Sequence, residues 1–488
     1  MIQNTISAFD PDEHYRCTII RGKTQTEMDN LLSVYASIIA EICPCSKNEF
    51  DDLFNEHLSQ ALYKRSFADL EKKNKKTIRN HITEIAGSLF GLYYYDVEGS
   101  YYESPSNAKL LEDNDQPAFF KNLCLNFQFP NGSQKALTIL ERINDGICLK
   151  PFHFVLSLLA TAKGNDVHLT RDEVGYYVLN AKQVLQGKIS VPQVFEEVMK
   201  DRRGRVVKIV AKNSHDWQHI KEQINLLILA NLVVETNGLL VLNEKEMPII
   251  NYFIQENSKA LRFDVFAYDL SDKQDRLKIR ADWSEYYGQI AVSDDNLLTT
   301  SLDALMHQTS IESPVDSKKP EDKPASAPTN FTSRVDKNAL GEEGELYVFE
   351  FEKQRVGNTH PRLVNQVRLL ASQRGIGYDI SSVEAAEDME NPEFLRMIEV
   401  KATKRVTAPD ISDDSWIDTV NLTRREWMTA KQHRTAYSIY RIYFTPAATV
   451  IRKINNPYGK HEEGVIDVVA TTYRAEFKSL AIDREYYE

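Results

Sequence analysis

Between about residues 308 and 335 the chain loses the means to build a core. The stretch is made of Ser, Pro, Lys, Asp and Thr, as in Pro314-Val315-Asp316-Ser317-Lys318-Lys319-Pro320 and Pro324-Ala325-Ser326-Ala327-Pro328. Residues of this kind bury too little apolar surface to offset the entropy of ordering them, so the stretch reads as a solvated linker. It splits the 488 residues into a long upstream part and a last module of about 150 residues, the size of one ordinary domain. The linker implies that this module moves relative to the rest.

The upstream part reads as mostly helical. From about 26 to 70, Met28, Leu31, Leu32, Tyr35, Ile38, Ile39 and Ile42 recur at three-to-four spacing, which is a packing face. A basic run, Lys72-Lys73-Asn74-Lys75-Lys76, then leads into a helical pattern through Ile78, Ile82, Ile85 and Leu89. Leu92 to Tyr95 and Tyr101-Tyr102 flank Glu98-Gly99 as a hairpin would. Helix followed by short hairpin is the end of a winged helix. A second such arrangement is expected between about 150 and 245. It has an apolar helix from Phe152 to Leu159, a capping box at Thr170-Arg171-Asp172-Glu173 and a proline-opened helix at Ser190-Val191-Pro192-Gln193. An amphipathic helix follows from His219 to Leu229, and the last feature is a hairpin around Asn237-Gly238. Each unit carries basic residues near its helix and hairpin: Lys72, Lys75, Lys76 and Arg79 in the first, Arg202, Arg203, Arg205, Lys208 and Lys212 in the second. Lysine and arginine that neutralise phosphates supply most non-specific affinity for DNA. From about 246 to 305 the pattern weakens; Phe263 to Tyr268 reads as a strand, and Trp283 to Tyr287 is aromatic-rich.

The last module opens with a helix from Leu340 to about Arg355, and two half-buried strands follow. In Gly375-Ile376-Gly377-Tyr378-Asp379-Ile380 a period of two puts Tyr378 and Ile380 on one face and Asp379 on the other. In Met397-Ile398-Glu399-Val400-Lys401-Ala402-Thr403, Ile398, Val400 and Ala402 share the apolar face and leave Glu399 beside Lys401. A capped helix at Thr423-Arg424-Arg425-Glu426, bearing Trp427, and a strand from Tyr437 to Phe444 complete the order. Two carboxylates and a lysine converging on one cleft are the minimum for a metal-dependent phosphodiester hydrolase. A hard ion such as Mg²⁺ takes oxygen ligands and keeps several waters, so Asp379 and Glu399 plus a substrate phosphate suffice to hold it. Lys401 would orient or deprotonate the attacking water. Only about one free lysine in 2,500 is neutral at pH 7, so orientation is the plainer role. Gly375 and Gly377 read as turn and close-packing residues, and His360, His433 and His461 as surface residues.

These residues, with Gly344-Glu345 on the first helix and Leu422-Thr423 to Glu426-Trp427 on the last, resemble the PD-(D/E)XK nuclease superfamily. The likeness is to a C-terminal module of restriction and phage-defence proteins known as a domain of unknown function, and it spans roughly residues 336 to 455. Tyr378 stands where the superfamily name has proline. The resemblance implies that the Val400 carbonyl joins Asp379 and Glu399 at the metal, Mg²⁺ or alternatively Mn²⁺, and that Glu345 contributes to the site or orients a metal-bound water. The upstream winged-helix pair is similar, more loosely, to N-terminal parts of restriction-type endonucleases.

The expected architecture is multidomain: a helical, winged-helix-like domain over 1–145, a second with an extension over 146–307, the linker over 308–335, and an α/β nuclease domain over 336–488. The expected activity is Mg²⁺-dependent cleavage of double-stranded DNA, with a homodimer as one way to cut both strands. Two other readings are a nuclease subunit switched on by a partner protein of a defence system, and a non-catalytic DNA-binding regulator whose nuclease fold is vestigial. The net charge of -12 and pI near 5.5 exclude a generally basic coat protein but not a local patch, since charges are screened over about 8 Å at physiological salt. The five cysteines, including Cys43-Pro44-Cys45, form neither a zinc pattern nor a disulfide framework. No basic-then-apolar leader and no apolar run near about 20 residues is present, so a cytoplasmic protein without a membrane anchor is expected.

Overall fold

The computed structural model describes residues 4–6, 13–14, 24–210, 212, 214–309, 339–370, 376–408 and 418–468. Nearly all of the expected linker, and Gly375, lie outside these residues. By their contacts the described residues divide into two compact units. One is drawn from Met1–Val348, Val400–Asn421 and Arg441–Arg452, the other from Phe349–Glu399, Leu422–Tyr440 and Lys453–Glu488. The division passes through the strand Leu395–Lys404, between Glu399 and Val400.

In the first unit, local sequence signals set the helix limits. Gln25–Ile42 starts at Thr24, whose hydroxyl accepts the Glu27 amide while the Glu27 carboxylate accepts the Thr24 amide. It stops at Cys43, before Pro44, which has no N–H to continue the ladder. Its Met28, Leu32, Tyr35, Ile38, Ile39 and Ile42 are all buried. The short strand Cys45–Ser46 follows, then the helix Lys47–Tyr63, capped reciprocally by Ser46 and Glu49. Next come the helix Lys72–Asn80 and the hairpin Tyr93–Tyr95 with Ser100–Glu103. The three strands form one sheet in which the short strand pairs with the second arm of the hairpin.

The same order recurs downstream. The helix Pro151–Gly164 precedes the strand Leu169–Thr170, and Thr170 and Glu173 cap the next helical segment. After the helices Val191–Arg203 and His215–Leu229 comes the hairpin Val233–Thr236 with Leu239–Leu242. Asn237 and Gly238 turn it at positive φ, 54° and 77°. Here too the short strand pairs with the hairpin's second arm. A continuous apolar core from Met28 to Leu298 fuses both arrangements. The strand expected over Phe263 to Tyr268 is instead a one-turn helix, Val265–Ala267, because the Asp264 carboxylate captures the Phe266 amide. Trp283 to Tyr287 ends the helix Lys273–Tyr287.

The C-terminal residues build a five-stranded sheet in the order Thr449–Asn455, Tyr437–Phe444, Leu395–Lys404, Ile380–Val383, Arg368–Leu369. Ile380–Val383 is antiparallel to both neighbours. The Arg405 amide donates to the Phe444 carbonyl at one end of the central pair, and the Tyr437 hydroxyl bonds Glu399 at the other. Those two strands therefore run in the same direction, joined by a crossover that contains the helix Arg424–His433.

Helices lie against the strands on both sides. Ala339–Thr359 approaches at Gly344, where an added Cβ would stand 2.8 Å from the Ala402 Cβ and 3.5 Å from Val400. Further along, Glu352, fully buried, accepts from the Ser382 hydroxyl (2.6 Å), the Tyr440 hydroxyl (3.0 Å) and the Arg355 guanidinium. On the other side Trp427 and Ala430 join Met397, Tyr437 and Ile439 in an apolar cluster.

Because the helix sits so close at Gly344, Gly344→Val forces backbone-borne atoms apart and should lower stability by about 1–3 kcal/mol. Gly341→Ala on the same helix, with open space at its Cβ, should instead gain up to about 1 kcal/mol of helix propensity. Denaturant titration of both variants checks this, and equal shifts would contradict the close approach. A second prediction concerns acid. Burial, and next the neighbouring Lys150, push the buried His153 down to about 3. Burial alone would raise Glu256, but hydrogen bonds from Arg262 and Lys150 bring it to about 2. Both groups bind fewer protons folded than unfolded, so stability is full at neutral pH. It falls first as pH drops through about 6.5, for His153, and again below about 4.5, for Glu256. His153→Gln should flatten the decline between about pH 6.5 and 4.5; an unchanged slope there in urea titrations refutes the assignment.

Candidate active site and nucleic-acid interface

Asp379 sits immediately before the strand Ile380–Val383, at a defect in the ladder. Its amide donates to the Ile398 carbonyl (2.9 Å), although Ile398 is already the partner of Ile380. Two residues against one is a β-bulge, a device that re-aims a side chain. The simple alternation expected for Tyr378, Asp379 and Ile380 is broken there. Ile380 is the cross-strand partner of Ile398, whereas Tyr378 joins the Met397 and Trp427 cluster on the other side of the sheet. The Asp379 carbonyl accepts from the Leu370 amide at 2.7 Å, so both backbone groups of this residue are fixed.

Glu399 lies on the central strand and is only 3% exposed. The Tyr437 hydroxyl is hydrogen-bonded to it and to the Gly377 carbonyl at 3.1 Å. Burial first, then the charges of Glu399, Glu426 and Asp379, raise the Tyr437 phenol well above its ordinary value. The backbone register, with the Asp379 amide on the Ile398 carbonyl and Ile380 opposite Ile398, sets Asp379 next to Glu399 across the two strands. Tyr437 and Glu426 are the residues that sequence reasoning passed over as anything but a strand start and a helix cap. The signal for Tyr437 was its place as first residue of the strand returning from the crossover, next to the Glu399 strand. Glu426 also closes the cap with Thr423, its carboxylate accepting the Thr423 amide at 3.1 Å.

Val400 and Lys401 continue the same strand, Val400 buried and Lys401 half-buried. The Arg441 guanidinium holds the Lys401 carbonyl at 3.3 Å and the Ala402 carbonyl at 3.2 Å, while Asp418 holds Arg441. Glu345 follows Gly344 on the helix and is half-buried. Among the described residues no group of three or more His, Cys, Asp or Glu side chains is arranged to hold a metal ion. An octahedral ion needs fewer: one or two carboxylates, a carbonyl, waters and a phosphate. The buried carboxylate of Glu399 and that of Asp379 fit this donor set.

The two basic runs have different surroundings. On the helix Lys72–Asn80, Lys72, Lys76 and Arg79 are exposed at four- and three-residue spacing, which is one face, with Ile78 buried behind them. Lys75 is half-buried; its ammonium donates to the Ala68 carbonyl (2.5 Å) and lies over the Phe67 ring. In the second run Arg202 is held by Glu173 (2.6 and 2.7 Å) and Lys208 by Asp201 (2.9 Å). Lys212 lies against Asp172 at 2.8 Å and over the Trp217 ring. Arg203 and Arg205 are exposed. The helix His215–Leu229 is buried from Glu222 onward, so it presents no long face to a partner.

Comparison with known proteins matches two separate stretches of the chain. Residues 344–454 match the model for the C-terminal region of Protein NO VEIN, which falls within the 336 to 455 span of the resemblance. No curated protein matches the chain. Among solved structures, one described as pyrene- and phenanthrene-modified DNA in complex with the BpuJ1 endonuclease binding domain is 41% identical. It covers 58% of this chain and 100% of that one, with a TM-score of 0.52. No described helix is long and apolar enough to cross a membrane. Residues 9–284, more than half of the chain, match the model for the N-terminal region of restriction endonuclease BpuJI, and the chain belongs to that family.

Proposed function

We propose that this chain is a Mg²⁺-dependent DNA endonuclease of the restriction or antiphage-defence type, in which winged-helix modules upstream engage double-stranded DNA and a PD-(D/E)XK module cuts it. The observation that carries the reading is the register that puts Asp379, on its bulge opposite Ile398, next to Glu399 on the central strand. It occurs in a chain whose other half belongs to a restriction endonuclease family and is 41% identical to a DNA-bound relative. Each upstream repeat runs from a helix through a short strand and further helices to a hairpin, with the short strand on the hairpin's second arm, which supports a winged-helix reading. The exposed cationic face of Lys72–Asn80 supports the first repeat as the one that meets the phosphate backbone.

Asp379, Glu399 and the Val400 carbonyl would hold the ion. When bound, it would polarise the scissile phosphate and acidify the attacking water. The chain's own residues do the rest. The bulge aims Asp379 at the point that Glu399 reaches from the next strand. The Tyr437 hydroxyl, hydrogen-bonded to the Gly377 carbonyl and to Glu399, helps fix the position of that carboxylate. Lys401 orients the attacking water toward phosphorus, and Glu345 supports that water from the helix.

Asp379→Ala and Lys401→Ala should each slow DNA cleavage by about a hundredfold or more while leaving the dissociation constant for DNA within about twofold, as expected for groups acting only on the reacting atoms. Wild-type cleavage by either variant would remove the assignment. For binding, Lys76→Ala with Arg79→Ala should weaken affinity for every duplex alike and reduce the salt slope by about one for each phosphate no longer neutralised. Arg202→Ala, which strips Glu173 of its cationic partner, should lower stability and leave the salt slope unchanged. Gel-shift titrations over a salt series check both. A slope that moves with Arg202 and not with Lys76 and Arg79 would place the interface on the other repeat.

A further inference from the structure

The strand that carries Glu399 and Lys401 does not run out into solvent. Its last residue, Lys404, is 7% exposed. The Lys404 ammonium donates to the Thr300 carbonyl at 2.6 Å and stands 3.3 Å from the Asp115 carboxylate. Its amide donates to the Asn114 carbonyl (2.9 Å), which the Thr403 hydroxyl also reaches (3.2 Å). Beyond it, the Arg405 guanidinium donates to the Asn30 side chain (2.7 Å) and the Thr407 hydroxyl to the Asp29 carboxylate (2.6 Å). Asp29 and Asn30 belong to the helix Gln25–Ile42, and Asp115 caps the helix Gln116–Asn126.

These partners are themselves tied down. The Asp115 carboxylate accepts the Thr300 amide at 2.8 Å. The buried Lys121 donates to the Thr300 hydroxyl and to Glu246, both at 2.8 Å, and Asn231 donates to Glu246 at 2.8 Å. A chain of buried charged and amide groups thus runs from the second hairpin's base to the end of the strand that holds Lys401. Buried pairs of this kind contribute little net stability against apolar substitutes but fix geometry, because breaking one strands a charge. Fixed geometry is what a hydrolytic site needs, where a displacement of about 1 Å costs on the order of a hundredfold in rate.

We infer that Lys404, seated on Asp115 and Thr300, is a positioning residue for the proposed nuclease site, so that the region matching the BpuJI model is part of the frame that sets the strand bearing Glu399 and Lys401. This rests on the reading of that strand as catalytic. The linker between the two parts gives the opposite impression, of a tethered module cutting independently; the side chains between Thr403 and Thr407 couple the strand to the recognition region instead.

The test uses the full-length chain with Lys404→Met, Lys404→Arg and, as a milder second break in the same seam, Thr407→Val. Hydrogen exchange is read first, without DNA. In Lys404→Met the peptide covering Leu395–Lys404 should exchange at least about tenfold faster, while Arg424–His433 is unchanged. Cleavage of plasmid DNA is read second. Lys404→Met should lose at least about tenfold in rate with affinity for DNA unchanged and a higher Mg²⁺ concentration for half-maximal rate, Lys404→Arg should recover part of it, and Thr407→Val should fall between. If Lys404→Met does not fold, Thr407→Val alone decides on both readouts. Unchanged strand exchange, or faster exchange with a wild-type rate and Mg²⁺ dependence, overturns the inference. A wild-type chain that cuts no DNA overturns the nuclease reading, and the exchange experiment still judges the anchor.

Discussion

A strand buried on both faces tolerates charged side chains only where each is given a partner, and the strand Leu395–Lys404 carries four, Arg396, Glu399, Lys401 and Lys404, with Arg405 just beyond. Arg396 is held by Glu384, Glu387 and the Tyr440 hydroxyl; Glu399 is hydrogen-bonded to Tyr437; Lys404 rests on Asp115 and Thr300; Arg405 reaches Asn30. Elements far apart in the chain are folded around this strand to meet that requirement. The Gly344 helix comes close because glycine leaves room at Ala402. The bulge at Asp379 admits a second carboxylate beside Glu399 without a break in the sheet's hydrogen bonding, since its amide still finds the Ile398 carbonyl.

The same demand for partners separates the two upstream repeats. Both run from a helix through a short strand and further helices to a hairpin, and both carry a basic run, yet a cation bound to a carboxylate of its own protein has little left for a phosphate. Arg202 and Lys208 are engaged in this way, whereas Lys72, Lys76 and Arg79 stand on an open helical face. In the second repeat the helix His215–Leu229 is also enclosed over most of its length.

Local signals made much of this legible in the sequence. Reciprocal caps at Thr24, Thr170 and Thr423, the Asn237-Gly238 turn and the alternation through Ile398, Val400 and Ala402 act over a few residues, and each element lies where those residues put it. What stayed hidden depends on contacts between distant residues. The bulge at Asp379 arises from pairing with Ile398 and has no signature in Gly377-Tyr378-Asp379-Ile380. Tyr437 gains its place only when the crossover returns it beside Glu399. Lys404 reads as one more polar residue at a strand end until Asp115 and Thr300, more than a hundred residues upstream, close over it. A one-turn helix replaced the strand expected near Phe263 because the Asp264 side chain captured a backbone amide, a competition that apolar patterning does not register.

The proposed chemistry is Mg²⁺-dependent hydrolysis of DNA at Asp379, Glu399 and Lys401. Incubating the purified full-length chain with supercoiled plasmid, methylated and unmethylated, in Mg²⁺ or in EDTA tests it most directly. The account predicts nicked or linear plasmid with Mg²⁺ from at least one of the two DNAs and intact plasmid with EDTA. Plasmid that is bound yet remains supercoiled in Mg²⁺ and in Mn²⁺, whatever its methylation, would contradict it.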